Sequence, residues 1–266
     1  MDKAYEAILL KKENGIATIF LNRPERRNAL SSTMFQELIE VMGKLATDVE
    51  AKVIIITGMG KAFCAGGDLD LKENPVFSLK APHEISAKFH ELHQLLIMMR
   101  NLRKPTIASV NGPAMGAGCD LTLACDIRIA AETASFGEVY TKIGAMPDTG
   151  GTYFLPRIVG VAKACELIFT GDTIDAREAE RIGLVSKVVP VEKLEETTGE
   201  LATKLAKGPS VAIGLAKNLI YSGLTSDLPN ALERIASDMA ICLQTKDIQE
   251  GLTAFREKRA PVFTGE

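Results

Sequence analysis

Apolar and polar positions alternate over residues 5–20 on both sides of Asn14-Gly15. Alternation around an Asn-Gly pair predicts a two-stranded hairpin closed by a two-residue turn. The polar stretch Asn22-Arg23-Pro24-Glu25-Arg26-Arg27-Asn28 follows as a loop. Thr33 with Gln36 has the spacing of a capping box, and the pattern beyond it predicts an amphipathic helix to about Ala46. Two β-branched runs, Val53-Ile54-Ile55-Ile56-Thr57 and Thr106-Ile107-Ala108-Ser109-Val110, have the near-continuous apolar character of buried strands. Between them, residues 70–82 read as an irregular polar flap, and a helix is expected from about His83 to Arg100. Short strands are expected at Asp126-Ile127-Arg128-Ile129-Ala130, within 135–150, and from Ile182 to Val189. From about Val191 the pattern is helical, with Leu201, Leu205, Val211, Leu215, Leu219, Leu232, Ile235 and Met239 three to four residues apart or at multiples of that spacing. The expected organisation is an α/β core over 1–190 and a helical region over 191–266. No sequence repeat is visible.

Each buried strand runs into a glycine-rich turn. The first is Gly58-Met59-Gly60-Lys61-Ala62-Phe63-Cys64-Ala65-Gly66-Gly67-Asp68; the second is Asn111-Gly112-Pro113-Ala114-Met115-Gly116-Ala117-Gly118-Cys119-Asp120. Both read as strand, tight loop and helix start. Small residues let a ligand approach the backbone, and amides at a helix start face outward with the positive end of the dipole. Two such turns side by side would hold one oxygen between two N–H groups, the design of an oxyanion hole. One such turn alone would be only a loop; two that both carry Ala-Gly and end in Asp point to a site. Neither has the spacing of a nucleotide phosphate loop or a dinucleotide fingerprint.

Composition narrows the partners. The chain has 266 residues, 46% hydrophobic, with a net charge of −3, no Trp and 5% aromatics, which disfavours nucleic acid. No apolar run is long enough to span a membrane, and the opening Met1-Asp2-Lys3-Ala4-Tyr5-Glu6 lacks the apolar stretch of a signal peptide. Five cysteines without a C-x-x-C pair fit a reducing cytoplasm better than a disulfide framework, and no metal site is expected. Cys64 and Cys119 sit in the glycine turns but have no histidine near them in sequence, so they read as small apolar fillers. His90 and His93 read as solvated or lid-facing.

The chain resembles the crotonase superfamily, also called the enoyl-CoA hydratase/isomerase family. The resemblance is carried by Ile19-Phe20-Leu21-Asn22-Arg23-Pro24, Ala62-Phe63-Cys64-Ala65-Gly66-Gly67-Asp68-Leu69 and Lys104-Pro105-Thr106-Ile107-Ala108-Ser109-Val110-Asn111-Gly112. Further matches are Ala124-Cys125-Asp126-Ile127-Arg128, Phe136-Gly137, Gly150-Gly151 and Glu250-Gly251-Leu252-Thr253-Ala254-Phe255 with Lys258-Arg259. They fall in family order along essentially the whole chain. The resemblance implies an α/β fold, a crotonase-like spiral of ββα units with a C-terminal helical region, assembled as a homotrimer or hexamer. It implies an acyl-CoA thioester as substrate, with coenzyme A part of that substrate and no further cofactor. By position, the amides of Gly67 and Ala117 would bind the thioester oxygen. The Ala65 carbonyl would meet the adenine, and Arg26, Arg27 and Lys258 would lie near the nucleotide end, although surface charge explains those three equally well.

The acid–base positions depart from the hydratase pattern. Where hydratases of the family carry two glutamates, this chain has Asp120 and Tyr140, and a phenol with a reference pKa of ~10 is a poor base at neutral pH. Asp148 stands where hydratases usually carry glycine and where the family's dienoyl and ring-derived double-bond isomerases carry aspartate. Dienoyl isomerases also carry aspartate at the Asp120 position, but glutamate at that of Tyr140. The passage Thr141-Lys142-Ile143-Gly144-Ala145-Met146-Pro147-Asp148 is similar to ring-opening isomerases of aromatic-acid degradation. Glu138 is close enough in sequence to substitute for the missing glutamate. Without the family frame, Asp120 is a helix N-terminal charge and Asp148 a turn residue. The expectation is therefore an isomerase using Asp148 with Asp120 assisting. A hydratase or dehydratase on a linear or cyclic enoyl-CoA and a non-catalytic CoA-binding scaffold are the alternatives.

Overall fold

The computed structural model describes residues 5–266; residues 1–4, within the opening stretch considered for a signal peptide, lie outside it. Strands β1 (Ile8–Glu13) and β2 (Ile16–Leu21) form the hairpin, with Asn14 and Gly15 both at positive φ, as a type I′ turn requires. β2 continues into a parallel array with β3 (Val53–Gly58), β4 (Thr106–Val110), β6 (Ile127–Ala131) and β9 (Lys187–Val189), giving a six-stranded sheet in the order β1-β2-β3-β4-β6-β9. A second sheet stacks β5 (Ala114–Met115), β7 (Ser135–Gly137) and β8 (Thr173–Asp175). Single bridges pair Cys64 with Ala114 and Leu30 with Gly67 and carry that second layer back to the start of the chain. Each winding thus gives a strand to the large sheet, a short extended segment to the small one, and then a helix. This is the spiral of ββα units.

The helices are α1 (Ser32–Thr47), α2 (Pro82–Asn101), α3 (Ala117–Ala124), α4 (Gly151–Val159), α5 (Val161–Thr170) and α6 (Ala176–Arg181), followed by α7 (Leu194–Ala206), α8 (Ser210–Gly223), α9 (Leu228–Cys242) and α10 (Lys246–Glu257). Successive β3 side chains go to opposite faces. Ile54 and Ile56 join the main core with Leu38 and Met42 of α1, whereas Val53 and Ile55 pack against Ala202 of α7. Of the helical stretch 191–266, α7 therefore covers the sheet as part of the core. Lys217 of α8 is anchored to the sheet by Asp126 at 2.7 Å, and Asp126 also accepts from Tyr221 at 2.6 Å.

Four local expectations need correction. The first helix is capped by Ser31, whose hydroxyl accepts from the Met34 amide at 3.2 Å, and not by Thr33. The last strand is only Lys187–Val189, because 182–186 turn through Gly183 at positive φ. The polar flap contains a 3-10 turn at Pro75–Ser78. The first glycine turn does not open a helix: Gly67 lies in a β-bridge, and the next helix begins only at Pro82.

Candidate active site

The two glycine turns pack face to face because they lack side chains where they touch. A methyl group on Gly118 would lie 2.5 Å from the Cys64 carbonyl oxygen; one on Gly66, whose φ is +106°, would lie 2.9 Å from that of Met115. The same point at Gly66 is 3.9 Å from the Ala117 nitrogen, so the two turns share one wall. Leu30 donates to the Gly66 carbonyl at 2.8 Å and accepts from Asp68 at 3.0 Å. With a period of two, this turns the intervening Gly67 amide the other way, toward the cavity that Gly67 lines. The Ala117 amide opens α3, one of the donors that a helix leaves without an internal acceptor, and the residue before it is an uncapped glycine. One amide is thus freed by strand alternation and the other by a helix start.

The cavity beside these amides has a volume of about 140 Å³. Phe35 of α1, Phe89 and Leu92 of α2, and Val139 and Ile143 form much of its apolar wall; Val76 comes from the flap. Ala65, Tyr140 and Asp148 line it as well. Among the cavity-lining residues described, Asp148 is the one carboxylate. Burial holds its carboxyl above the ordinary range, opposed by the hydrogen bond that Thr149 donates at 2.8 Å. His93 Nε2 donates to the Asp148 main-chain carbonyl at 2.6 Å and ties the acidic turn to α2. The sequence left His93 as solvated or lid-facing. Its spacing from His90 identified a helix face, but nothing in the chain marked a contact 55 residues away.

Asp120 and Glu138 are placed differently from expectation. Both are buried and neither lines the cavity; they lie behind Tyr140. The Tyr140 hydroxyl donates to Asp120 Oδ2 at 2.6 Å, and burial beside that carboxylate pushes the phenol far above its usual pKa. Asp120 and Glu138 therefore stand behind the phenol and outside the cavity lining. The reason is geometric: every residue of α3 is buried, and Tyr140, which lines the cavity, stands in front of Asp120.

At the outer end, Arg26 is paired with Asp70 at 3.0 Å and Asp68 at 3.5 Å. Arg27 is exposed and sits in the left-handed region at φ 51°. Lys258 closes α10 at φ 55° and is not among the cavity-lining residues. Cys64 and Cys119 are fully buried; burial raises both thiols, Cys64 to about 12, so they act as fillers rather than nucleophiles.

Two main-chain N–H groups, an apolar cavity and a single acidic corner come together at this place. The chain belongs to the enoyl-CoA hydratase/isomerase family, whose model matches residues 11–266. It is an enzyme of the hydratase/isomerase kind. It is 39% identical over 261 residues to the crotonyl-CoA hydratase of Syntrophomonas wolfei, covering 98% of each chain. It is 36% identical to the 1,2-epoxyphenylacetyl-CoA isomerase of Escherichia coli over 98% of this chain and 99% of that one. Among solved structures, an enoyl-CoA hydratase from Bacillus anthracis superposes with a TM-score of 0.91 at 39% identity, covering 98% of this chain and 100% of that one. These similarities establish the crotonase fold.

Proposed function

We propose that this protein shifts a carbon–carbon double bond in an enoyl- or dienoyl-CoA thioester, with Asp148 as the proton carrier. The observation that carries the reading is that Asp148 is the one carboxylate among the described residues lining the cavity. Hydration by two acid–base carboxylates needs a second one there, and the position that would supply it is Tyr140. In the proposed step, ionised Asp148 removes a proton from a carbon conjugated with the thioester. The electron pair moves toward the carbonyl, and the enolate oxygen is held by the Gly67 and Ala117 amides. The Asp148 carboxylic acid then returns the proton to a different carbon, and the double bond re-forms one position along. Water is neither consumed nor released, and no cofactor beyond the coenzyme A of the substrate takes part. A raised pKa suits a group that must both take and return the proton. The Ala65 carbonyl, on the cavity wall, meets the adenine; Arg27 is free to approach phosphate, whereas Arg26 must first leave Asp70.

Incubation with enoyl-, dienoyl- and cyclic-enoyl-CoA in H₂¹⁸O tests the reading. A shifted double bond without label is expected. Label in the product means hydration, and absence of turnover on every substrate means a scaffold; either result overturns the isomerase assignment.

Assembly as a trimer or hexamer belongs to the same proposal. Helix α9 buries none of its side chains, yet Leu228, Leu232, Ile235 and Met239 form a stripe along it, and Phe255 of α10 is 85% exposed. A stripe of this kind needs a matching surface, and a cyclic assembly provides one on every copy. Among the described residues no helix is long and apolar enough to cross a membrane. Free thiols at all five cysteines suit the cytoplasm as the proposed location.

A further inference from the structure

Glu138 follows β7 and is 2% exposed, yet among the described residues neither of its carboxylate oxygens has a hydrogen-bond partner; Asp120 Oδ1 is in the same condition. The two groups converge on one point. A methyl group added at Gly151 would lie 2.3 Å from Asp120 Oδ1 and 2.7 Å from Glu138 Oε2. The glycine that starts α4 is what leaves room for both. The titratable groups facing the pair are Cys119 from α3, Tyr140 and Asp148 from the segments after β7, and Asp172 across a small cavity after α5; none of them is a cation. Two buried carboxylates facing each other without a cation cannot both be ionised, so they hold a proton between them. Tyr140 already donates to Asp120 Oδ2, which leaves Oδ1 as the atom that needs a donor.

We propose that Glu138 is a positioning residue whose carboxylic acid shares one proton with Asp120 Oδ1. This keeps Asp120 a hydrogen-bond acceptor and fixes the Tyr140 hydroxyl on the cavity wall beside Asp148. Without that donor, Asp120 would take up a proton itself and donate to the Tyr140 oxygen, and the phenolic hydrogen would swing toward Asp148. Glu138 thus sets the direction of a hydrogen bond beside the proton carrier without touching the substrate. Burial pushes Glu138 up to about 7 and holds Asp120 well above the usual carboxylate range, so at neutral pH the pair keeps a proton.

The effect on turnover rests on the isomerase reading, but the sharing of the proton does not, so an infrared measurement accompanies the kinetics. The variants are Glu138→Gln, whose amide N–H replaces the shared proton with one that does not titrate, and Glu138→Leu, which removes the donor. Wild-type activity is expected to fall on the alkaline side, where the pair loses its shared proton. E138Q is expected to keep kcat within about threefold and to lack that alkaline limb. E138L is expected to lose kcat about tenfold or more, with KM changed by less than about threefold. The infrared band of a buried, protonated carboxylic acid, present in the wild type below neutral pH, should be missing from E138Q whatever substrate the enzyme takes. Equal loss of kcat in the two variants, an unchanged alkaline limb in E138Q, or an unchanged infrared band would each overturn the proposal. If E138L does not fold, the pH profile and infrared spectrum of E138Q still decide.

Discussion

Replacing Asp148 by asparagine removes the proposed proton carrier and little else. The carbonyl oxygen of the new side-chain amide can still accept from Thr149, which donates to Asp148 at 2.8 Å in the wild type. The bond from His93 ends on the main-chain carbonyl and is untouched. A general acid–base group contributes about 10²- to 10⁴-fold, so kcat of D148N on the best enoyl- or dienoyl-CoA should fall about 10²-fold or more, roughly 2.7 kcal/mol of barrier. KM should move little, because the cavity walls and both amides remain. Stability should move the other way. Burial raises the folded pKa of Asp148, so its contribution to stability is full at low pH and is lost as the pH rises through the folded value. At neutral pH the wild type carries the cost of a partly buried charge that D148N lacks, and the Tm of the variant should equal or exceed that of the wild type. The wild type should also lose activity on the acid side as Asp148 protonates, at a pH above the ordinary aspartate value of ~3.9. Steady-state kinetics across pH, with thermal unfolding alongside, measure all three. A folded D148N enzyme with kcat within about tenfold of wild type would refute the assignment, since that is below the range of a general acid–base group.

Gly67→Pro should lower kcat about 10²-fold or more by deleting an amide donor, while Gly67→Ala should retain activity, because the nearest atom to an added Cβ is Asn74 Nδ2 at 4.0 Å; near-normal kcat for G67P would sink the oxyanion role. Gly118→Ala pushes a methyl group to 2.5 Å from the Cys64 carbonyl and should cost about 1–3 kcal/mol, read as a lower Tm, and an unchanged Tm would mean that the turns part freely. Sedimentation at micromolar concentration should show a trimer or hexamer of the 28.7 kDa chain, and a clean monomer would leave the α9 stripe without the proposed role.

The elements that are regular over many residues were legible in the chain. Asn14-Gly15 marked the hairpin, the β-branched runs marked β3 and β4, and the periodicity of α1 and α2 located both helices to within about two residues. The two glycine turns were legible as a site because their small residues have no role in an ordinary strand end. The ββα repetition was not, because its second strand is as short as a single bridge at Leu30–Gly67 or Cys64–Ala114 and has no hydrophobic period to detect.

Local sequence could determine where an amide or a carboxylate occurs, but not which way it faces. The Gly67 N–H turns toward the cavity because the hydrogen bonds that Leu30 makes with Gly66 and Asp68 fix the strand phase, and not because a helix starts there, as the sequence suggested. In the sequence Asp120 and Asp148 both fell at acid–base positions of the family, Asp148 as the expected proton carrier and Asp120 as its assistant. Tertiary packing separated them, sealing Asp120 behind Tyr140 with Glu138 and leaving Asp148 on the cavity wall, held by Thr149 beside it and by His93 from a distant helix. Sequence carries the identity and period of side chains, which are local properties. Burial and the sharing of a proton depend on which segments meet, and only the closed spiral brings those segments together.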